Sequence, residues 1–218
     1  RKRRLGPGTA SGSWQAGWRK ESSWSSDLEG RRVRSPAGDL FHQTRIPVFA
    51  GIRERADMSG EPEWILGLDI GGTNMVLALI PFSGGEPRGL RKLSTRPEGG
   101  GEEVIRRAAA AAKECMAGVL RTDVPLEEQV AGVGVGAPGP LNRKAGILRE
   151  APNLGWRDFP LRELVSRSIG LPAEIDNDAN CATYGEWWMG AGRESETLVV
   201  LTLGTGIGGG LVINGELH

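Results

Sequence analysis

The sequence predicts an α/β fold organised around a mixed β-sheet. Short apolar runs occur in pairs near residues 64–81 and 198–213, and glycine-rich turns join the members of each pair, as in antiparallel hairpins. Between the two pairs, apolar runs alternate with segments of helical periodicity. Hairpins together with alternating strands and helices are typical of α/β domains that contain parallel and antiparallel strands.

Each predicted element rests on its own pattern. Apolar residues at helical spacing predict three helices, and acidic residues stand at the start of the first. Apolar runs bounded by glycine or proline predict the strands, and Asn214-Gly215 predicts a hairpin turn. The predicted strands are 64–69, 75–81, 89–95, 130–136, 173–175, 198–203 and 210–213, and the predicted helices are 102–120, 161–169 and 179–189.

Charge is distributed unevenly along the chain. Residues 1–57 contain 12 of the 27 basic residues and 6 of the 27 acidic residues. The remainder of the chain therefore contains 15 basic and 21 acidic residues. This acidic remainder lacks the basic face that contacts to nucleic-acid phosphates require, so we expect no nucleic-acid partner.

Other features predict a cytoplasmic protein. No apolar run approaches the ~20 residues of a membrane span, and no apolar stretch follows the basic start as a signal peptide requires. Cys115 and Cys181 have neither CxxC spacing nor a nearby histidine pair, so we expect two reduced, structural thiols.

Residues 1–57 differ in composition from the rest of the chain. They are rich in Arg, Ser, Gly and isolated Trp and show no sustained periodicity. Such a segment buries too little apolar surface to offset the entropy of ordering it, so we expect it to be disordered. We also expect Met58, the first methionine, to be the native start, with residues 1–57 as upstream sequence. A basic arm that binds a partner is the alternative.

The first chemical motif is LDIGGTN at residues 68–74. Asp69 ends a strand, and Gly71 and Gly72 let the chain turn and bring backbone N–H groups close to an anion. Thr73 adds a hydroxyl donor. These groups suit a phosphate with hydrated Mg²⁺, because Mg²⁺ keeps several waters and takes one or two carboxylates. A plain Gly-Gly hairpin turn is the alternative.

The second motif is the glycine run LGTGIGGG at residues 203–210, which follows an apolar strand. A dinucleotide-binding fingerprint would be followed at once by a helix, whereas a strand pattern follows here. Two glycine loops, each between paired strands, can hold a triphosphate from two sides.

The third motif is DNDAN at residues 176–180, between an apolar strand and a helix. Capping of the helix explains one of these residues, because Asp and Asn accept hydrogen bonds from the first helical N–H groups. It does not explain four such residues within five positions. A carboxylate at this point can also accept a proton from a substrate hydroxyl that Asn177 orients. The pattern alone leaves cap and catalyst open.

Taken together, residues 64–217 resemble the ROK family (repressors, unassigned reading frames and kinases), especially its bacterial glucokinase branch. The resemblance covers about 150 of the 218 residues. It rests on five motifs in family-like order: LDIGGTN at 68–74, GVGAPGP at 134–140, EAPNL at 150–154, DNDAN at 176–180 with Gly185-Glu186, and LTLGTGIGGG at 201–210.

The resemblance implies the actin-like ATPase (ribonuclease H-like) fold, in which two α/β lobes hold ATP and a sugar between them. It implies a complete N-terminal lobe over residues 58–190 and the start of a larger C-terminal lobe over residues 191–218. A sugar-site Gly-Glu-x-Gly-His stretch and a Cys-rich motif for structural zinc would lie beyond His218. We therefore expect this chain alone to be poorly folded and inactive, with an exposed apolar face, and the full-length protein to form a homo-oligomer.

The resemblance also implies a role for each matched residue. Asp178 matches the catalytic base, Asn177 matches a sugar-binding asparagine, and Asp69 matches a residue that helps hold magnesium, through water. The sugar-site loop is matched by Pro138, Gly139 and, more loosely, Asn153, and for Pro138 a rigid turn is an equally good explanation. The ATP phosphates are matched by Gly71, Gly72, Thr73 and Asn74 in the first loop and by Gly204, Thr205 and Gly206 in the second.

The activity implied is ATP-dependent phosphorylation of a hexose hydroxyl in carbohydrate metabolism. Glucose, phosphorylated to glucose 6-phosphate in glycolysis, is the first choice of substrate, with N-acetylhexosamines or fructose as alternatives. The rival function is a ROK-type sugar-responsive transcriptional regulator, which carries a helix-turn-helix domain in front. Residues 1–57 lack the two amphipathic helices that such a domain needs, and the phosphate motif at 69–73 is intact, so the sequence favours the kinase.

Overall fold

The computed structural model describes residues 62–193, 195–203 and 206–218. The predictions for residues 1–57, and for Gly204 and Thr205 in the second glycine loop, fall outside the described residues. The helices are α1 (Gly101–Ala117), α2 (Leu126–Gln129), α3 (Leu161–Ile169) and α4 (Asp178–Trp188). The strands are β1 (Trp64–Ile70), β2 (Asn74–Pro81), β3 (Arg88–Ser94), β4 (Val130–Ala137), β5 (Leu141–Asn142), β6 (Ile147–Ala151), β7 (Trp156–Phe159), β8 (Ala173–Asn177), β9 (Thr197–Leu203), β10 (Ile207–Ile213) and β11 (Glu216–Leu217).

The main sheet has five strands in the order β3-β2-β1-β4-β8. Strand β1 runs antiparallel to β2 and parallel to β4, β2 is antiparallel to β3, and β4 is parallel to β8. The mixed sheet predicted from the sequence is therefore confirmed. Its parallel half, β1-β4-β8, has all its carboxyl ends at one edge, and that edge carries the candidate site.

Helices α1 and α3 contact each other and strands of the main sheet. Helix α1 contains a run of five alanines, which favours the helix intrinsically and lets its backbone approach the sheet closely. The apolar side chains that these elements share are fully buried, and the largest of them include Leu66, Ile70, Met75, Leu77 and Leu79 from the sheet and Ile105 and Leu161 from the helices.

A three-stranded antiparallel sheet, β5-β6-β7, was not predicted from the sequence. Its strands are two to five residues long, and the chain turns between them at Gly146 and Gly155, both with positive φ. Strands this short have too few residues to show an alternating pattern. Leu148 and Trp156 join this sheet to the main core.

The second hairpin forms a separate antiparallel sheet, in the order β11-β10-β9. Asn214 and Gly215 have φ of 51° and 79°, as the predicted tight turn requires. Strand β10 begins at Ile207, three residues before the predicted start, because glycines that were interpreted as loop lie inside the strand.

Gly208 and Gly210 let helix α4 lie directly on β10. A Cβ on Gly208 would stand 3.0 Å from the Ala179 Cβ, and a Cβ on Gly210 would overlap the Thr183 side chain. Helix α4 therefore belongs to a second small core, formed by Tyr184, Trp187, Val212 and Leu217.

The opposite face of this second sheet is apolar and open to solvent. Val199, Leu201, Leu203 and Ile207 are 64%, 69%, 79% and 81% exposed. They are neighbours across β9 and β10, because Leu203 pairs with Ile207 and the β9 residues alternate along one face. None of the helices in the described ranges is long and apolar enough to cross a bilayer.

Candidate functional site

The ends of the three parallel strands bring two of the predicted motifs together. Asp69 of β1 pairs with Gly136 of β4, and Gly136 pairs with Asp176 of β8. These three residues therefore form a row across the carboxyl edge of the sheet. In open α/β sheets this edge is where ligands bind.

The turn between β1 and β2 is shaped by two glycines. The Gly71 N–H donates to the Asn74 carbonyl oxygen at 2.9 Å, and a Cβ on Gly71 would be only 2.9 Å from that same oxygen. A Cβ on Gly72 would be 3.0 Å from the Asn153 Cβ. Thr73, at the tip of the turn, is exposed. The turn is thus tight, glycine-dependent and accessible to a ligand.

The junction of β8 and α4 is capped by Asn177. Its Oδ1 accepts hydrogen bonds from the N–H groups of Ala179 at 3.0 Å and Asn180 at 3.4 Å. Its Nδ2 donates to the Gly139 carbonyl at 3.4 Å. The capping explanation of this motif therefore holds for Asn177, which also ties the helix start to the predicted sugar-site loop.

Asp176 has a structural environment. It is almost fully buried, its Oδ2 accepts from Arg143 Nη1 at 3.0 Å, and its Oδ1 accepts from Asn180 Nδ2 at 3.0 Å. The Asn177 N–H donates to the same Oδ1 at 2.7 Å. With both oxygens engaged, this carboxylate fixes the end of the strand.

Asp178 is the acidic residue of this motif in which one carboxylate oxygen has no hydrogen-bond partner among the described residues. Its Oδ1 accepts from the Ala179 N–H at 2.8 Å, and its Oδ2 accepts no hydrogen bond from any residue that the structure describes. The residue is exposed at the first position of α4. Such an oxygen is available to a hydroxyl group of a ligand.

Gly136 is the point at which Asp69 and helix α4 approach each other. A Cβ on Gly136 would lie 3.6 Å from Asp69 Oδ1, 3.7 Å from Asp178 Cα and 3.5 Å from Cys181 Sγ. Solvent reaches Asp69, yet burial by the surrounding protein is the largest cause that raises its pKa, followed by the negative charge of Asp178. Two carboxylates that repel each other in this way favour a cation between them.

The predicted sugar-site loop is held by the steric demands of Gly139. This residue has a φ of +93°, and a Cβ on it would overlap the backbone carbonyl of Glu150. Pro138 follows the end of β4, and the Arg149 N–H donates to the Pro140 carbonyl at 2.9 Å. The loop is therefore a tight turn that requires glycine at position 139. Asn153 lies instead over Gly72, beside the predicted phosphate turn.

The second glycine loop is described from Gly206 onward. Gly206 is exposed and directly precedes β10. Because Gly208 contacts Ala179, the described end of this loop lies beside the residue that follows Asp178.

Cys181 is a site neighbour that the sequence analysis interpreted only as a structural thiol. It stands three residues after Asp178, so the two side chains share one face of α4, and this spacing is the signal that places it here. Burial, and then the charges of Asp176, Asp69 and Asp178, raise the pKa of Cys181 to about 12. Both Cys115 and Cys181 are free thiols, as predicted.

We expect Cys181 to resist alkylation in the folded protein. At about pH 8, its thiolate fraction should be at least about 100-fold below that of an ordinary thiol, because the thiolate is the reactive form. A time course with iodoacetamide, read by peptide mass spectrometry, measures the rate. Denatured protein is the control and should label rapidly at both cysteines. Labelling of Cys181 at the same rate in the folded and denatured protein would contradict this environment.

A metal at this site would have to be one that needs few protein ligands. Within the described ranges, no three His, Cys, Asp or Glu side chains are grouped to hold a metal ion. Mg²⁺ fits Asp69 and its carboxylate neighbour, because it takes one or two carboxylates and completes its shell with water and phosphate oxygens.

Comparison with known proteins gives consistent results. The family model described as "ROK family" matches residues 65–218. A glucokinase of Halalkalibacterium halodurans is 36% identical over 154 residues, which are 71% of this chain and 45% of that protein. A xylose repressor of Caldicellulosiruptor bescii is 39% identical over 88 residues, which are 40% of this chain and 22% of the repressor.

A solved structure also resembles the described fold. The ROK family glucokinase from Streptomyces griseus, in complex with glucose and AMPPNP, matches with a TM-score of 0.62 and 34% identity. The match covers 71% of this chain and 46% of that structure, so the chain spans less than half of this glucokinase and of the one from Halalkalibacterium halodurans. The fold is the actin-like ATPase fold that the sequence analysis predicted. With a family model that covers 65–218, the chain belongs to the ROK family.

Proposed function

We propose that this chain carries the phosphate-binding turn and the catalytic base of an ATP-dependent hexose kinase. The observation that carries the proposal is the approach of Asp69 and Asp178 across Gly136, beside the glycine turn at residues 71–73. In this proposal the glycine turn would bind a phosphate, Asp69 would hold a cation and Asp178 would accept a proton, all at the carboxyl ends of the parallel strands.

In the proposed reaction, Asp178 removes the proton from a sugar hydroxyl. The hydroxyl oxygen forms a bond to the γ-phosphorus of ATP, and the bond from that phosphorus to the β-phosphate oxygen breaks, so the electron pair leaves with ADP. The unengaged Oδ2 of Asp178 supports this role. Such a reaction depends mainly on positioning and charge stabilisation, which the glycine turn supplies through backbone N–H groups.

Bound Mg²⁺ would neutralise the developing charge on the phosphates. Asp69 would hold it, through water, and the raised pKa of Asp69 supports this role because a cation would relieve its repulsion with Asp178. The backbone of Gly71, Gly72, Thr73 and Asn74 would face the β- and γ-phosphates. Gly204, Thr205 and Gly206 would approach the triphosphate from the other lobe.

We propose glucose as the sugar, in line with the glucokinases that the chain resembles. Asn177 would contact it, together with Pro138 and Gly139. The Nδ2 of Asn177 already contacts the Gly139 carbonyl, which supports a shared surface for these residues. N-Acetylhexosamines and fructose are the alternative substrates.

The experiment is a coupled ADP-release assay on the full-length protein, meaning the longest natural translation product that contains residues 62–218. We expect ADP release from MgATP that depends on added glucose and is slower with fructose, N-acetylglucosamine or N-acetylmannosamine. Glucose 6-phosphate should accumulate in equal amount. Absence of sugar-dependent ADP release with all four sugars would contradict the kinase proposal.

A sugar-responsive transcriptional regulator is the second candidate, favoured by the similarity to a xylose repressor. The regulator would bind operator DNA and need no phosphoryl transfer. An electrophoretic mobility assay with the DNA upstream of its own gene, with and without sugar, distinguishes the two functions. Specific, sugar-dependent DNA binding without ADP release would favour the regulator.

The division into lobes at residue 190, the assembly into a homo-oligomer, a structural zinc and a cytoplasmic location stay proposals. Light scattering of the full-length protein measures the oligomer. Helix α4, although it lies before residue 190, packs on the second sheet as well as on β4 and β8 of the main sheet.

A further inference from the structure

The residue after the end of β3, Thr95, is joined to the glycine turn by two hydrogen bonds. Its Oγ1 donates to the Gly71 carbonyl at 2.6 Å, and its backbone N–H donates to the Thr73 carbonyl at 2.8 Å. Thr95 is fully buried. The side chain and the backbone N–H of Thr95 thus each hold one carbonyl of the predicted phosphate turn, those of Gly71 and Thr73.

Thr95 is itself held from helix α1. Arg107 Nη1 donates to the Thr95 carbonyl at 2.8 Å, and Arg107 Nη2 donates to the Ser94 carbonyl at 2.7 Å. Hydrogen bonds from a charged donor are stronger than neutral ones, and a guanidinium that forms two of them fixes orientation as well as distance. The turn is therefore connected to α1 through one continuous set of hydrogen bonds.

Anchored carbonyls determine where the N–H groups of the turn point. In a trans peptide the C=O and the following N–H lie on opposite sides of the bond. The described chain has no cis peptide, so holding the Gly71 and Thr73 carbonyls towards Thr95 directs the N–H groups of Gly72 and Asn74 away from it. For tight binding, these N–H groups need to be oriented towards the phosphate before it binds.

We propose that Thr95, supported by Arg107, is a positioning residue that sets the affinity of the glycine turn for the phosphates of ATP. This inference rests on the proposed kinase function. Thr95 touches neither substrate; it acts by keeping two peptide planes in the orientation that binds an anion. A turn without this support would have to be ordered by the nucleotide itself, which lowers affinity.

Two substitutions at Thr95 separate positioning from packing. Thr95→Val keeps the shape and the methyl group but removes the hydroxyl donor, so it leaves the Gly71 carbonyl without that partner. Thr95→Ser keeps the donor but removes the methyl group. We expect Val to raise the KM for ATP by about 3- to 10-fold, the range that one net hydrogen bond implies, and Ser to leave it within about twofold. The KM for the sugar should change with neither.

Arg107 and its neighbour Arg106 supply a second matched pair. Arg106 is largely exposed and pairs with Glu103 on the helix surface, whereas Arg107 holds Thr95. We expect Arg107→Gln to raise the KM for ATP by about 2- to 5-fold, and Arg106→Gln to leave it unchanged. Calorimetric titration of full-length protein with MgAMPPNP gives the same comparison as a dissociation constant, without turnover.

The outcomes are distinguishable. The positioning role would be overturned if Thr95→Val had the same KM for ATP as Thr95→Ser, or if Thr95→Val raised the KM for ATP and the KM for sugar equally. Either result would leave the kinase proposal intact. A wild-type protein that neither binds MgAMPPNP nor releases ADP would overturn both. A selective effect of Val and of Arg107→Gln on nucleotide affinity would support both.

Discussion

Replacement of Asp178 by asparagine should lower kcat in the full-length protein by about 10²- to 10⁴-fold, the usual contribution of a general base. The substitution is nearly isosteric. An asparagine Oδ1 can still accept from the Ala179 N–H, so the start of α4 should stay intact. The second oxygen becomes an amide group, which cannot take up a proton. Nucleotide binding should therefore persist while phosphoryl transfer slows by this factor.

The measurement is kcat from ADP release, alongside the dissociation constant for MgAMPPNP. Glu163→Gln is the matched control, because Glu163 is an exposed acidic residue on α3. Within the described part of the chain, its only ion pair is with Arg167 on the same helix. The control should be indistinguishable from wild type. A kcat within about threefold of wild type for Asp178→Asn would remove Asp178 from the role of base.

The second large effect is expected on stability, at Gly139. Gly139→Ala should lower the free energy of unfolding by about 3 kcal/mol, which combines the cost of a positive φ with the cost of overpacking. The new methyl group would overlap the Glu150 carbonyl, and a backbone atom in a strand cannot turn aside as a side chain can. Urea denaturation followed by circular dichroism provides the measurement.

Gly170→Ala is the matched control for Gly139→Ala. Gly170 has a similar φ of +85°, but nothing lies within 4 Å of the position its Cβ would take. It should cost about 1 kcal/mol, from backbone conformation alone. The difference between the two variants isolates the overlap with Glu150. Equal losses at both glycines would show that the loop after β4 moves freely to admit a side chain.

Those parts of the fold with a strong local pattern were predictable. Helix α3 occupies the predicted residues, because its apolar spacing ends at Gly170, whose positive φ terminates the helix. The turn at Asn214-Gly215 was likewise specified by its own residues. Helix α1 ends at Ala117, before the predicted residue 120, since Gly118 weakens the helix that Val119 and Leu120 would otherwise continue.

The features that stayed hidden depend on contacts between residues that are distant in sequence. Gly208 was interpreted as loop and Gly210 as the first residue of a strand, but the lack of a side chain at both positions serves the approach of α4, which no local pattern reveals. Thr95 carries no motif, and its importance comes from a hydrogen bond to a residue 24 positions earlier. The candidate base was named from a motif, whereas the unengaged oxygen that distinguishes it from Asp176 required coordinates.

The solvent-exposed apolar face of β9 and β10 affects how the protein behaves in solution. Strand β9, with the sequence TLVVLTL, has no charge and no proline, and it borders its sheet among the described strands. Uncharged, β-branched edges of this kind are templates on which other molecules add strands. Wherever no further polypeptide covers this edge, copies of the protein should associate through it. The fraction of protein that stays a folded monomer should then depend on protein concentration more than on temperature.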